Sequence, residues 1–218
     1  MVLKSAQIYA RLTGRSEDHD PSDPLSIIPY FEIESLRNSG AASVDLRLGR
    51  WFLLLRSDRT PLFEVKEEAK EKKGTKEGEE SNSRKNYSKL PARQVYVPFG
   101  ETFYVQPGAF VLAATLEWVR LPADLAGTIT GKSSWGRRGL VIETAAAIHP
   151  GFAGCLALEI SNLGGVPIEL RPGMTICQIS FLRASDKHAT ESSFDGMRRP
   201  EIGSITMDEV ARRLGRAI

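Results

Sequence analysis

"CLALEISNLGGVPIELRPGMTICQISFL", Cys155 to Leu182, decides the fold class. Short apolar runs follow one another and are broken at Leu163-Gly164-Gly165 and Pro172-Gly173, residues that turn a chain, with no helical period between them. Strand alternation in "GCLALEISN" sets Leu156, Leu158 and Ile160 on one face, a core face, and Cys155, Ala157, Glu159 and Ser161 on the other. The same texture extends back through "LAGTITGKSS" and "VYVPFGETFYVQPGAFVLAATLEWVRLP", with a further turn at Pro107-Gly108. It begins at Ser43, where "SVDLRLGRWFLLL" alternates Val44, Leu46 and Leu48 with Asp45 and Arg47. Strands and turns at this spacing predict a mainly β domain: a sandwich, jelly roll or barrel.

Short helices are predicted at both ends. "LKSAQIYARL" (3–12) places Leu3, Ile8 and Leu12 at helical spacings, and the loop "SEDHDPSDP" follows. "TMDEVARRLGRAI" carries a capping box, Thr206 with Glu209, and sets Val210, Leu214 and Ile218 four residues apart. Residues 66–89 mix Lys with Glu and hold almost no apolar side chains, so nothing there offsets the entropy of ordering; the segment reads as a solvated surface insertion, with partner binding as the alternative. The whole is read as one β domain over 1–218, with an N-terminal helical segment to residue 40 and a C-terminal tail and helix from 183.

The 218 residues suffice for such a core without disulfide or metal. A net charge of +2 is too small to point to nucleic acid or a membrane surface, so any ligand must be read from a site. Cys155 and Cys177 sit in apolar segments without CxxC spacing, which predicts buried reduced thiols. "MVLKSAQIYARL" has no apolar signal core, and no run approaches the roughly 20 apolar residues of a membrane span. The expectation is a cytoplasmic protein.

Two stretches carry chemistry. Glu159, amid small side chains, fits a pocket wall with one ionisable group; a solvent-facing Glu on an edge strand is the other reading. "GKSSWGRRGL" (131–140) packs glycines, two hydroxyls and the cations Lys132, Arg137 and Arg138 into ten residues. Backbone N–H groups, hydroxyls and guanidinium forks of this kind cradle phosphate, although a Gly/Ser surface turn has the same composition and the Walker order is absent. Zinc-dependent deaminases need a PCxxC pair, and this chain has no CxxC. His19 and His188 lie in polar segments, whereas the turn after His149 should expose that ring near the start of the Glu159 strand.

Three blocks, "SVDLRLG" (43–49), "PGAFVLAATLEWVRLPADLAGTITGKSSWGRRGL" (107–140) and "HPGFAGCLALEISNLGGVPIELRPGMTICQISF" (149–181), together resemble the dCTP deaminases of the dCTP deaminase and dUTPase superfamily. The resemblance spans roughly residues 40–182 apart from the charged insertion. It implies a distorted, dUTPase-like β-barrel or jelly roll, assembled as a homotrimer with nucleotide sites across subunit interfaces. It also implies metal-independent hydrolysis of the cytosine 4-amino group, with Mg2+ present only as the counter-ion of the triphosphate. The catalytic glutamate falls on Glu159, and the Ser and Arg of the "SSxxR" block fall on Ser133 and Arg137. Phosphate and other substrate contacts fall on Lys132, Ser134 and Gln178, and a water-holding backbone carbonyl falls near Ala145.

Residue chemistry agrees with that assignment. Deamination at C4 needs a group that takes a proton from water and delivers protons to N3 and the departing amine, which one partly buried carboxyl can do; Ser133 can orient the water and Arg137 support the tetrahedral intermediate or the glutamate. The chain departs from the pattern at His149, where the superfamily keeps an acid that contacts the sugar and in dUTPases activates water, and at Ala147, where the deaminases often have arginine. The nucleotide-covering tail is matched loosely by "SFDGMRRP" (193–200), with Phe194 as a stacking residue and Arg198 reaching the phosphates. The expected reaction is dCTP to dUTP and ammonia. A catalytically altered nucleotide-binding paralogue and a dUTP diphosphatase or dCTP-to-dUMP enzyme are the alternatives, and His149 counts against the last pair.

Overall fold

The structure is a computed structural model, which describes residues 1–17, 20–30, 33–55, 92–143, 147–190 and 195–202. Residues 1–54 with 94–201 form one compact unit; 55–93 with 202–218 form another, of which Leu55, Ala92, Arg93 and Ile202 are described. The charged insertion at 66–89, the C-terminal helix, and the candidates Ala145 and Phe194 therefore lie outside the described residues, as does His19.

The elements are α1 (Ser5–Leu12), β1 (Ser26–Ile28), α2 (Ile33–Leu36), β2 (Val44–Leu55), β3 (Ala92–Tyr96), β4 (Phe103–Val105), β5 (Phe110–Arg120), β6 (Leu125–Gly131), α3 (Ser133–Gly136), β7 (Leu140–Glu143), β8 (Ala147–Ile148), β9 (Ala153–Asn162), β10 (Ile168–Leu170) and β11 (Thr175–Arg183). The strands pair antiparallel in the order β7-β9-β5-β2-β11-β6-β8, with β1 on β5 and β3 on β2, and β10 and β4 form a separate pair. This is the mainly β architecture that the turn spacing predicts.

The strand β2 turns the corner between two sheets. Its first residues, Val44 to Arg47, pair with β11, and Leu48 to Leu54 pair with β5, with a register shift between Leu48 and Phe52. Gly49 lies within that shift, where a Cβ would sit 2.7 Å from the Ala114 carbonyl oxygen, so the backbones approach closely only because no side chain intervenes. The opposing strand shifts register between Ala114 and Trp118. The inward faces of both sheets fill the core between them: Leu46, Leu48, Phe52, Leu158, Ile160, Ile176, Ile179 and Phe181 are completely buried. The rings of Phe52 and Phe103 stack at 4.3 Å.

The N-terminal helix begins at Ser5, two residues inside the predicted span, and buries Ile8 and Tyr9, while Leu3 is buried just ahead of it. Its Arg11 is buried and engages both carboxylate oxygens of Asp124, which satisfies a charge the core could not otherwise hold. Among the described residues no helix is long and apolar enough to cross a membrane.

Candidate active site

Alternation along β9 holds as the sequence predicts: Leu156, Leu158 and Ile160 are buried, Cys155, Glu159 and Ser161 are partly buried, and Ala157 is exposed. Glu159 faces Leu112 across β5 and Glu143 across β7. Its carboxylate has no hydrogen-bond or ion-pair partner among the described residues.

The edge of β9 that carries β7 is divided. From Glu159 to Asn162 it is covered by β7. At its start the segment 195–197 takes over: Gly196 N–H donates to the Ala153 carbonyl at 2.7 Å, and Cys155 N–H donates to the Met197 carbonyl at 2.8 Å. Ala157 stands exposed between the two covered stretches.

The "GKSSWGRRGL" stretch forms the end of β6, the single turn α3 and the start of β7. The turn is pinned by Trp135, whose indole N–H donates to the Thr175 carbonyl at 2.9 Å while its ring packs on the core. Ser133, Ser134, Arg137 and Arg138 are left exposed around it. Gly131 lets β6 approach β7: a Cβ there would lie 3.2 Å from Ile142 Cβ, and Ile142 pairs with Ile160. Since α3 packs against β7, the cradle residues and Glu159 flank the same short strand.

Lys132 is engaged. Its Nζ lies 2.6 Å from Asp45 Oδ2. Asp45 on β2, Gln178 on β11 and Thr130 on β6 occupy one register row across three strands. Gln178 Nε2 donates to Thr130 Oγ1 at 3.2 Å, and Ser43 Oγ donates to Gln178 Oε1 at 3.2 Å. A groove of about 290 Å³ lined by Tyr30, Ser35, Ser39, Ser43, Asp45 and Gln178 opens beside this row. A larger cavity of about 620 Å³, lined by Glu17, Asp20, Asp124 and Asp186 among others, contains none of the candidate residues.

The remaining candidates fall elsewhere. His149 is exposed, as predicted, ahead of a turn that the 189–190 segment braces through Thr190 N–H to the Pro150 carbonyl at 2.9 Å. Arg198 lies over the ring of Trp118, 5.3 Å from its centroid, and Arg199 over Trp51 at 4.0 Å. Cys177 is completely buried, and burial, reinforced by the negative charges of Glu117 and Asp45, pushes its thiol up to about 12. Cys155 differs from the expectation of a buried thiol: it sits on the outward face of β9, partly exposed, yet burial still pushes its pKa up.

Sequence reasoning passed over Asp45, Trp118 and Glu117. Glu117 is 1% exposed and accepts the Arg47 backbone N–H at 2.8 Å and Arg47 Nη1 at 3.4 Å. Burial raises its pKa above the usual 4.5 in spite of those donors. Its signal was present in "VLAATLEWV", where it shares parity with Val111, Ala113 and Val119.

The antiparallel architecture is similar to the crystal structure of 2'-deoxycytidine 5'-triphosphate deaminase from Agrobacterium tumefaciens, with a TM-score of 0.52 at 22% identity, covering 83% of this chain and 47% of that one. That likeness is one of fold. A family model described as dCTP deaminase-like matches residues 19–184. The chain belongs to the dCTP deaminase-like family. A relative from Dictyoglomus thermophilum named "dCTP deaminase, dUMP-forming" is 40% identical over 116 residues, which are 50% of this chain and 60% of the relative. A second of the same name, from Clavibacter michiganensis subsp. michiganensis, is 36% identical over 186 residues, 85% of this chain and 77% of the relative.

Proposed function

We propose that this chain hydrolyses dCTP to dUMP, with release of ammonia and pyrophosphate, and that Glu159 is its acid–base residue. The sequence alone points to dUTP as the product, whereas the names of both relatives favour dUMP. The observation that carries the acid–base assignment is a half-buried carboxylate without a hydrogen-bond or ion-pair partner among the described residues, separated from a cationic turn by one short strand.

In the deamination, water attacks C4 of the pyrimidine as Glu159 accepts its proton. The carboxyl then returns protons to the ring nitrogen and the amine, the C4–N4 bond breaks, and ammonia leaves. Ser133 orients the water, and Arg137 stabilises the charge that develops on the intermediate. Formation of dUMP adds a second hydrolysis, in which water attacks the α-phosphorus and pyrophosphate departs. Lys132, Ser134 and Gln178 hold the phosphates of the Mg2+-bound substrate, and His149 and Arg198 are the outlying substrate contacts. A site shared between subunits of a homotrimer fits the partly exposed position of Glu159 on a single chain.

Incubation with Mg2+ and dCTP, followed by product separation, tests the proposal. Ammonia, dUMP and pyrophosphate support it, and ammonia with dUTP would return the product to the simpler deaminase. A rise in melting temperature with dCTP but no product would sink the enzymatic reading and leave a nucleotide-binding paralogue.

A further inference from the structure

The turn that carries Ser133 and Arg137 is too short to hold its own shape. Helix α3 has four residues, far below the roughly 12 at which an isolated helix becomes even marginally stable. Lys132 ahead of it gives no side-chain cap, and none of the four residues is fully buried. What fixes the turn comes from β11. Between Thr175 and Cys177 that strand takes two steps against one on β2, the mark of a bulge. The Met174 carbonyl accepts the Leu48 N–H of β2 at 2.9 Å. The next two carbonyls are both taken from α3 and its flank: Thr175 by the Trp135 indole N–H at 2.9 Å, and Ile176 by the Lys132 N–H at 3.2 Å. In a regular strand successive carbonyls point to opposite neighbours, so it is the bulge that presents both to the turn.

The two anchors hold different parts of the turn. Lys132 is fixed through its own N–H and through Nζ, 2.6 Å from Asp45 Oδ2, so its place does not depend on the tryptophan. Among the described residues, the other hydrogen bonds of 133–137 stay within 132–139: Gly136 N–H to the Lys132 carbonyl at 3.2 Å and Arg137 N–H to the Ser133 carbonyl at 3.0 Å are examples. The indole is therefore what ties this stretch to the sheet. Its ring packs on the core while its N–H ends on a carbonyl, a combination that a purely apolar side chain would not supply.

We propose that Trp135 is a positioning residue of this site, whose indole N–H, held by the bulge carbonyl of Thr175, sets where the Ser133 hydroxyl and the Arg137 guanidinium stand. The inference rests on the assignment of those two side chains to dCTP deamination. Both act at the reacting carbon, where a displacement of about 1 Å can cost about a hundredfold in rate. Lys132 holds phosphate from anchors of its own, so loss of the indole bond falls on the chemical step more than on substrate binding.

The test begins on the ligand-free protein. The chain has three tryptophans, Trp51, Trp118 and Trp135, and replacing each in turn by phenylalanine assigns their indole N–H signals in a nitrogen-15 correlation spectrum, by elimination if Trp135→Phe does not fold. The Trp135 N–H should exchange with solvent at least about fivefold more slowly than a free indole, the protection of one net hydrogen bond. Exchange at the free rate overturns the inference. In folded Trp135→Phe the amide protons of Gly136 and Arg137 should exchange about fivefold faster while those of the core strands do not change. Unchanged Gly136 and Arg137 amides overturn the inference as well. In turnover of dCTP with Mg2+, the same variant should lose about tenfold in kcat while KM moves by less than about threefold. A tryptophan that served stability alone would lower the melting temperature and leave kcat of the folded protein at the wild-type value, and that result also overturns the inference. If wild type does not turn over dCTP, the functional reading fails on its own and the amide exchange still decides whether the indole positions the turn.

Discussion

Glu117 and Glu159 interrupt apolar runs in two neighbouring strands, and the sheet treats them in opposite ways. Glu117 shares parity with the core residues of β5, is 1% exposed, and has the Arg47 N–H and guanidinium as donors. Glu159 has the parity opposite to the core residues of β9, is partly exposed, and has no partner among the described residues. A carboxylate in an apolar run is therefore an ambiguous sign. Strand parity decides whether it is a satisfied part of the interior or a group left open for a ligand.

Substitution at the two positions should give crossed results. Glu159→Gln should lower turnover of dCTP by about 10²–10⁴-fold with little change in melting temperature, and activity near wild type would end its assignment. Glu117→Leu should do the reverse, costing about 1–3 kcal/mol of stability in denaturant unfolding because the Arg47 donors lose a buried acceptor. A full-strength core in that variant would break the contrast from the other side.

The pH dependence sharpens the contrast further. Because burial raises the pKa of Glu117 above 4.5, the folded chain holds that proton more tightly than the unfolded chain. Its contribution to stability is fully present below 4.5 and declines as pH rises through the higher folded value. Melting curves at about pH 5 and about pH 8 should show a smaller difference in Glu117→Gln than in wild type, since glutamine cannot ionise. The smallest effect concerns the thiols. Cys177, buried and raised to about 12, should resist alkylation at neutral pH until the protein unfolds, whereas Cys155 should react slowly in the native state.

Much of this was legible in the sequence. The alternation of "SVDLRLG" and "GCLALEISN" gave the inward and outward faces of β2 and β9 correctly, because a strand with one buried face writes its period into the chain. The turn glycines and prolines marked the strand breaks. What escaped was what the pairing of distant segments sets: that Asp45 meets Lys132, and that Arg198 settles on Trp118. Register between distant strands depends on which edges meet, and single-strand periodicity carries no record of it. Glu117 is a different case, since its parity was readable and its donors were not.

The divided edge of β9 has a consequence for how the protein coexists with copies of itself. An uncovered strand edge invites another chain to add a strand, the usual route to sheet-to-sheet aggregation. Here β7 and the 195–197 segment leave so short a stretch around Ala157 among the described residues that a foreign strand would find too few backbone groups to pair with. The same covering that narrows the edge therefore also keeps the sheet from recruiting its neighbours.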